Sequence, residues 1–324
     1  GEDGGSFSHW PWAVLDEGDL TERALMSFIE VTITARQIER LNLKPPKKKT
    51  VVEAWVEWAY ESIPLIEPHI EQMEATTPSQ IRERLSLQRL IWKLRFLVNQ
   101  NLKHWVFLPD EKSWTFKPVW VGRYAEHYLW RHAKRFLVMS ATIISDIQFA
   151  KDLGLDREDV EFFEMPSTFP PENRPIFFIP KADMTYKNKE SAWPESVKAL
   201  DEILEKHPRE KGLVHTVSYP LARYVYENSR YKGRLMQHDS SSRISELERF
   251  KVTDLPMVMI SPSMERGVDL PEDLCRFLVL LKIPFPALGD PQISRRLYSS
   301  EDGDFWYAVQ TVRSIVQATG RGVR

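Results

Sequence analysis

Gly212-Leu213-Val214-His215-Thr216-Val217-Ser218-Tyr219 is an apolar run that ends in polar groups and hands over to a helical pattern, Tyr219 to Glu227. Outward from it the same alternation repeats. Strands are predicted at Pro175 to Ile179, Arg234 to His238, Met257 to Ser261 and Arg276 to Leu281. Helices are predicted at Glu195 to Lys206, Ile244 to Phe250 and Asp304 to Thr319. Strand, helix, strand in regular succession builds a doubly wound parallel sheet, because a right-handed crossover needs a helix between parallel neighbours.

Toward the N-terminus, Trp12-Ala13-Val14-Leu15 reads as a buried strand with Asp16 and Glu17 at its carboxyl end, where a parallel sheet presents ligand-facing groups. From Leu20 to about Gln100 the pattern turns helical. Two capping boxes are expected, Thr34 with Gln37 and Thr50 with Glu53. The second opens a run with Val52, Trp55, Val56 and Ala59 on one face. Lys44 to Lys49 is a lysine-rich linker between these two runs. After Thr77-Pro78 a helix lines up Leu87, Leu90, Ile91, Leu94 and Val98, with Arg82, Arg89 and Lys93 on another face, either a solvated stripe or a nucleic-acid contact. His104 to Leu108 and Ser113 to Trp120 read as a hairpin returning the chain to a second sheet strand, Arg135 to Ser140. Two strands of one sheet thus bracket a helical insertion.

Acidic and basic side chains nearly cancel, 46 against 44 in 324 residues, so no global field draws the protein onto nucleic acid, and any such binding needs a local basic surface. Cys275 is the single cysteine, which excludes an internal disulfide and a thiolate-held cluster built from this chain. A reducing, cytoplasmic setting in a prokaryotic or viral source is the expectation. No apolar run approaches the roughly 20 residues that span a bilayer. The chain starts without methionine just ahead of a strand and stops inside a motif, so it is expected to be cut at both ends.

Chemistry concentrates at a few places. At the C-terminus Gln317, Gly320, Arg321 and Arg324 stand in the spacing QxxGRxxR, and two guanidinium forks three residues apart can converge on one phosphate. A helix end with solvated charges is the plain alternative. Asp16 and Glu17 suit a hydrated magnesium ion and an attacking water, or simply a loop entering a helix. Ser140-Ala141-Thr142 puts small hydroxyls at a strand end, where an N-cap is the default reading. Tyr219 is placed to stack on a base and Ser218 to touch phosphate, or the pair is a core tyrosine beside an N-cap.

Taken in order, Asp16-Glu17, Ser140-Ala141-Thr142, Phe163 to Arg174, Ser261 to Leu270, Ile283 to Gln292 and the terminal QxxGRxxR resemble motifs II to VI of the XPD/DinG helicases of superfamily 2. The resemblance implies RecA-like doubly wound parallel sheets of the P-loop NTPase type, one partial and one nearly complete, with a helical arch-like insertion. It divides the chain into residues 1–30 (end of the first motor domain), 31–120 (insertion), 121–173 (return and linker) and 174–324 (second motor domain). It implies ATP and Mg2+ as cofactors, with Asp16 on the metal, Gly267, Asp269 and Gly320 at the nucleotide, and Glu17, Gln317, Arg321 and Arg324 in hydrolysis. Ser140, Thr142, Ser218, Tyr219 and Ser261 are implied to face nucleic acid. Partners would be single-stranded DNA and duplex junctions, the motor moving 5′ to 3′, with no membrane and a monomer expected.

Two departures accompany the resemblance. Gly18-Asp19 stands where the family has Ala-His, and Arg266 where it has Glu. No GxxxxGK[ST] occurs in the 324 residues, so the phosphate loop is expected upstream, as is any iron–sulfur cluster. The alternatives are a hydrolysis-deficient nucleic-acid-binding protein with a helicase fold, or the helicase module of a helicase-nuclease.

Overall fold

The computed structural model describes residues 10–167, 170–185, 187–262 and 270–320. The chain divides into two compact units, one of residues up to Glu161 with Ala287–Trp306, the other of Phe162–Pro286 with the residues from Tyr307 on.

In the first unit, β1 (Ala13–Leu15) opens the chain, followed by α1 (Thr21–Ile29), β2 (Val31–Thr34), α2 (Ala35–Arg40), α3 (Val52–Glu71) and α4 (Pro78–Val98). Then come β3 (Trp105–Pro109), β4 (Ser113–Pro118), α5 (Gly122–Tyr128), β5 (Phe136–Val138) and α6 (Asp146–Asp152). β1 and β5 pair in parallel, Val14 opposite Leu137, so two strands of one sheet do bracket the insertion. Leu15, Phe136 and Val138 pack on the core, whereas Val14 (60% exposed) and Leu137 (49%) leave the other face of the pair bare. A two-stranded parallel pair open on one face is not a self-sufficient sheet.

The expected hairpin forms as β3 and β4, but the stretch from Leu20 to Gln100 is not helical throughout. Val31 to Thr34 is a strand, paired antiparallel with β4 in the order β2-β4-β3. The physical reason lies in its β-branched residues with period two: Val31 and Ile33 are buried, and Thr32 meets the Thr115 hydroxyl across the ladder. Thr34 then forms the expected capping box with Gln37. The expected box of Thr50 with Glu53 is absent, because α3 starts at Val52 with Val51 as an uncapped N-cap. Tryptophans fix that entry instead, the Trp55 indole donating to the Lys49 carbonyl and Trp58 to that of Lys44. Thr77 caps α4 in a capping box with Gln80. Trp55, its ring centroid 4.4 Å from that of Trp114 with the planes tilted by 34°, is fully buried in the core that α3, α4 and the hairpin share.

The basic stripe on α4 splits. Arg82 and Arg89 are exposed, but the Lys93 amine donates to the carbonyls of Phe28 and Glu30 at the end of α1. Burial lowers its pKa to about 8, partly offset by the nearby Glu30 charge. A lysine whose folded pKa lies below its unfolded value binds fewer protons when folded. Its contribution is therefore fully present above the unfolded pKa and is lost as pH falls through about 8. Wild-type stability should rise between pH 8 and 10 relative to Lys93→Met, read as the difference in urea midpoints. A difference independent of pH contradicts the assignment.

The second unit holds α7 (Lys189–Lys206), β6 (Gly212–His215), α8 (Tyr219–Asn228), β7 (Leu235–Gln237), α9 (Arg243–Val252), β8 (Val258–Ser261) and β9 (Phe277–Leu280). Its four strands are parallel in the order β7-β8-β6-β9. Successive residues alternate faces: Val214, Leu235, Val258 and Ile260 pack with α7 and α8, while Leu213, Met236 and Met259 pack with Leu247 and Phe250 of α9. That is the doubly wound arrangement the alternation predicts. Cys275 lies under the second face, its thiol pushed up to about 11 by burial, which makes it unreactive in the folded state.

The strand expected at Pro175 to Ile179 does not form. Ile176, Phe177 and Phe178 are 83%, 78% and 81% exposed, and with no ladder partner an apolar run has nothing to hold it extended.

Beyond β9, α10 (Pro291–Tyr298) belongs to the first unit, and α11 (Gly303–Thr319) closes the chain. Arg296 carries the attachment of α10. It pairs with Glu22, donates to the Val119 carbonyl and lies over both Trp120 (4.5 Å) and Trp306 (5.1 Å). The expected 174–324 span therefore contributes Ala287–Trp306 to the first unit. On α11, Trp306 and Val309 are buried, whereas Val312 and Val316 are exposed. No helix among the described residues is long and apolar enough to cross a membrane.

Candidate nucleotide and nucleic-acid sites

Backbone strain marks the strand ends. Among the described residues, five non-glycine residues have positive φ, and three of them follow sheet strands: Glu17 (52°) after β1, Ile144 (68°) after β5 and Val217 (63°) after β6. For branched Ile144 and Val217 this region is sterically costly, on the order of 1–3 kcal/mol each, and such strain collects at functional sites. The carboxyl ends of parallel strands are also where ligands bind.

At the first of these ends Asp16 and Glu17 are both exposed, and one Asp16 carboxylate oxygen accepts the Glu17 N–H at 2.9 Å. Gly18 follows, buried, its N–H donating to the Met139 carbonyl. A Cβ there would stand 2.2 Å from Val138 Cγ1 and 3.3 Å from the Met139 oxygen, so β5 lies too close for the alanine that the resembled family carries. Asp19 is buried, and its carboxylate accepts a hydrogen bond from the Ser140 hydroxyl at 2.7 Å. The Thr142 N–H in turn donates to Ser140 Oγ at 3.1 Å. Asp16, Glu17, Ser140 and Thr142, two separate motifs in the sequence, thus lie together, joined through Asp19. In the sequence Asp19 stands out only as a departure from a motif, because its partner is 121 residues away. Among the described residues no cluster of three His, Cys, Asp or Glu side chains suits a metal. A single exposed carboxylate is the donor set of a largely hydrated magnesium ion, so Asp16 fits that role.

In the second unit Ser218 caps α8, accepting the Leu221 N–H, and is half-buried. Tyr219 is 40% exposed, its ring edge-on to His238 at 6.1 Å. His238 Nε2 stands 2.7 Å from the Ser261 hydroxyl, and its Nδ1 stands 2.8 Å from the Asp239 carbonyl. Because a carbonyl only accepts, Nδ1 carries the proton and Ser261 donates to Nε2. Ser261 is fully buried, so its hydroxyl is not itself exposed. His238 ends an expected strand beside Asp239, and that position is its only sequence signal. Gln317 is half-buried on α11. Gly320 is exposed, and no atom of the described residues lies within 4 Å of where a Cβ would sit. Gly267, Asp269, Arg321 and Arg324 lie outside the described residues.

Two parallel sheets, with strained turns and polar groups at their carboxyl ends, define an α/β protein of the RecA-like class. Comparison with known proteins narrows this. Residues 200–324 match the family described as helicase C-terminal domain. Over 95% of its length the chain is similar in structure to one described as XPD_APO, with a TM-score of 0.57, 13% identity and 69% of that chain covered. It is likewise similar to Xpd4 of S. tokodaii, with a TM-score of 0.56, 16% identity, 95% of this chain and 67% of that one. No curated protein matches the chain. The fold is that of the XPD structures, and residues 200–324 carry the helicase C-terminal domain match.

Proposed function

We propose that the chain is the motif II to VI part of an ATP-dependent DNA helicase that couples hydrolysis to 5′ to 3′ movement on single-stranded DNA and to duplex separation. The observation that carries this reading is the Ser140 to Asp19 hydrogen bond. It ties the acidic strand end, where nucleotide would sit, to the Ser-Ala-Thr segment that in the resembled family leads toward the nucleic-acid track. A hydroxyl-to-carboxylate bond is short and charge-assisted, and losing the Ser140 hydroxyl would strand the buried Asp19 carboxylate at a cost of about 1–3 kcal/mol. In this proposal the bond couples the two segments.

Asp16 is the residue to hold Mg2+, which when bound would neutralise charge on the ATP phosphates. Glu17 would orient the attacking water. Gln317, Arg321 and Arg324, with Gly267, Asp269 and Gly320 around the nucleotide, would complete hydrolysis, and the phosphate loop would come from a segment upstream. Cytoplasmic, monomeric action on single strands and duplex junctions belongs to the same proposal. The hydrolysis-deficient alternative draws its support from Gly18 and Asp19. Close packing against β5 accounts for the first and the Ser140 partner for the second, so the pair reads as a matched substitution.

Single-stranded DNA binding tests the reading. Lys47, Lys48, Lys49, Arg82 and Arg89 lie in the first unit, and all five are exposed. Affinity should fall steeply with salt, and charge reversal at these residues should flatten the slope by roughly 0.7 for each phosphate they no longer neutralise. An oligonucleotide that does not bind at low salt sinks the proposal. A salt slope unchanged after reversal removes this stripe from the interface.

A further inference from the structure

A cleft of about 260 Å³ opens on the second unit, lined by Trp193 of α7 and by Tyr219, Pro220, Arg223, Tyr224 and Glu227 of α8. The α8 residues form the face opposite to Leu221, Ala222 and Val225, which pack on the sheet. Trp193 and Tyr224 are half-buried, with ring centroids 5.2 Å apart and planes tilted by 54°, so the rings do not stack face to face on each other. Tyr219 and Arg223 stand one helical turn apart, both exposed.

We infer that this cleft receives one nucleobase of a bound single strand, an inference that rests on the DNA-binding proposal above. Flat aromatic walls with a guanidinium beside them match a base, whose π-face stacks on aromatic rings and on arginine whatever its identity. The cleft is too small for a helical ligand, which needs a groove several turns long. Its charges orient the strand. Arg223 attracts phosphate and Glu227, one turn further on, repels it, so the sugar–phosphate backbone runs on the Arg223 side. That side adjoins Ser218 and the strained Val217, at the carboxyl end of β6. Tyr219 also connects the cleft to His238 and thereby to Ser261, which gives that buried serine an indirect part in sensing an occupied cleft.

The test is photocrosslinking of the 324-residue chain to single-stranded oligonucleotides carrying 5-iododeoxyuridine, with the adducts mapped by mass spectrometry, alongside binding by fluorescence anisotropy. Adducts on Trp193, Tyr219 or Tyr224 are expected. Trp193→Ala and Tyr219→Ala should each weaken binding about 5-fold or more. Exposed Arg223→Glu serves as a variant that leaves the packing intact and should weaken binding as well. Binding that persists unchanged in all three variants, with adducts elsewhere, overturns the cleft while leaving the DNA proposal standing. Absence of any binding by the wild-type chain overturns both.

Discussion

Arg321→Ala and Arg324→Ala, each introduced into a protein that carries this chain behind a phosphate loop, should lower ATP turnover about 10³-fold or more, the scale of an arginine acting on a phosphoryl-transfer transition state. DNA affinity and melting temperature should stay nearly unchanged. The geometry leading to this pair is regular. Helix α11 runs to Thr319, its hydroxyls at Thr311, Ser314 and Thr319 each bonding a carbonyl one turn back. Gln317 lies on its last turn and Gly320 follows in open space. Arginine forks three residues apart beyond such a helix end can share one γ-phosphate. The competing role, charges that merely cap a helix end, is worth only about 0.3–1 kcal/mol of stability. These roles differ by orders of magnitude in turnover. A variant that hydrolyses ATP within a few-fold of its parent removes that arginine from catalysis.

The second large effect concerns Asp19 and Ser140. If their hydrogen bond carries the link between nucleotide and nucleic acid, Asp19→Ala should reduce the stimulation of ATPase by DNA by about 5- to 150-fold, the usual range of a coupling free energy. Ser140→Ala should do the same. The double variant should cost less than the sum of the two single variants, because the bond they share is lost only once. Asp19→Asn keeps an acceptor oxygen and should retain part of the stimulation. A purely structural role would lower basal and stimulated rates together and leave their ratio intact, and that outcome would refute the coupling.

Much of this is legible in the sequence. The second unit can be read because its strands are apolar runs separated by helices with clear periodicity, so β6, β7, β8 and β9 fall where the alternation puts them. The capping box at Thr34 is legible because its two partners are local, whereas the entry to α3 is set by indoles reaching back to Lys44 and Lys49. β2 escapes a sequence reading because its four residues lie directly between two helices, and only its pairing with β4 distinguishes them from a turn. The run at Pro175 to Ile179 has strand composition but no partner. Composition cannot reveal that. At the site, Asp16, Glu17, Ser140 and Thr142 are visible as motif residues. Asp19 and His238 acquire meaning only from partners distant in sequence. The attachment of α10 through Arg296, Trp120 and Trp306 is equally nonlocal.

The proposal under test is that these 324 residues form part of an ATP-driven DNA motor whose phosphate loop lies outside them. ATP turnover, measured with and without single-stranded DNA, tests it most directly, on the purified chain and on a protein in which an upstream segment with a GxxxxGK[ST] loop precedes it. No turnover is expected from the chain alone. From the longer protein, DNA-stimulated turnover that Glu17→Gln abolishes is expected. Hydrolysis by the chain alone that Glu17→Gln removes, or a longer protein that binds DNA yet hydrolyses nothing, would contradict it.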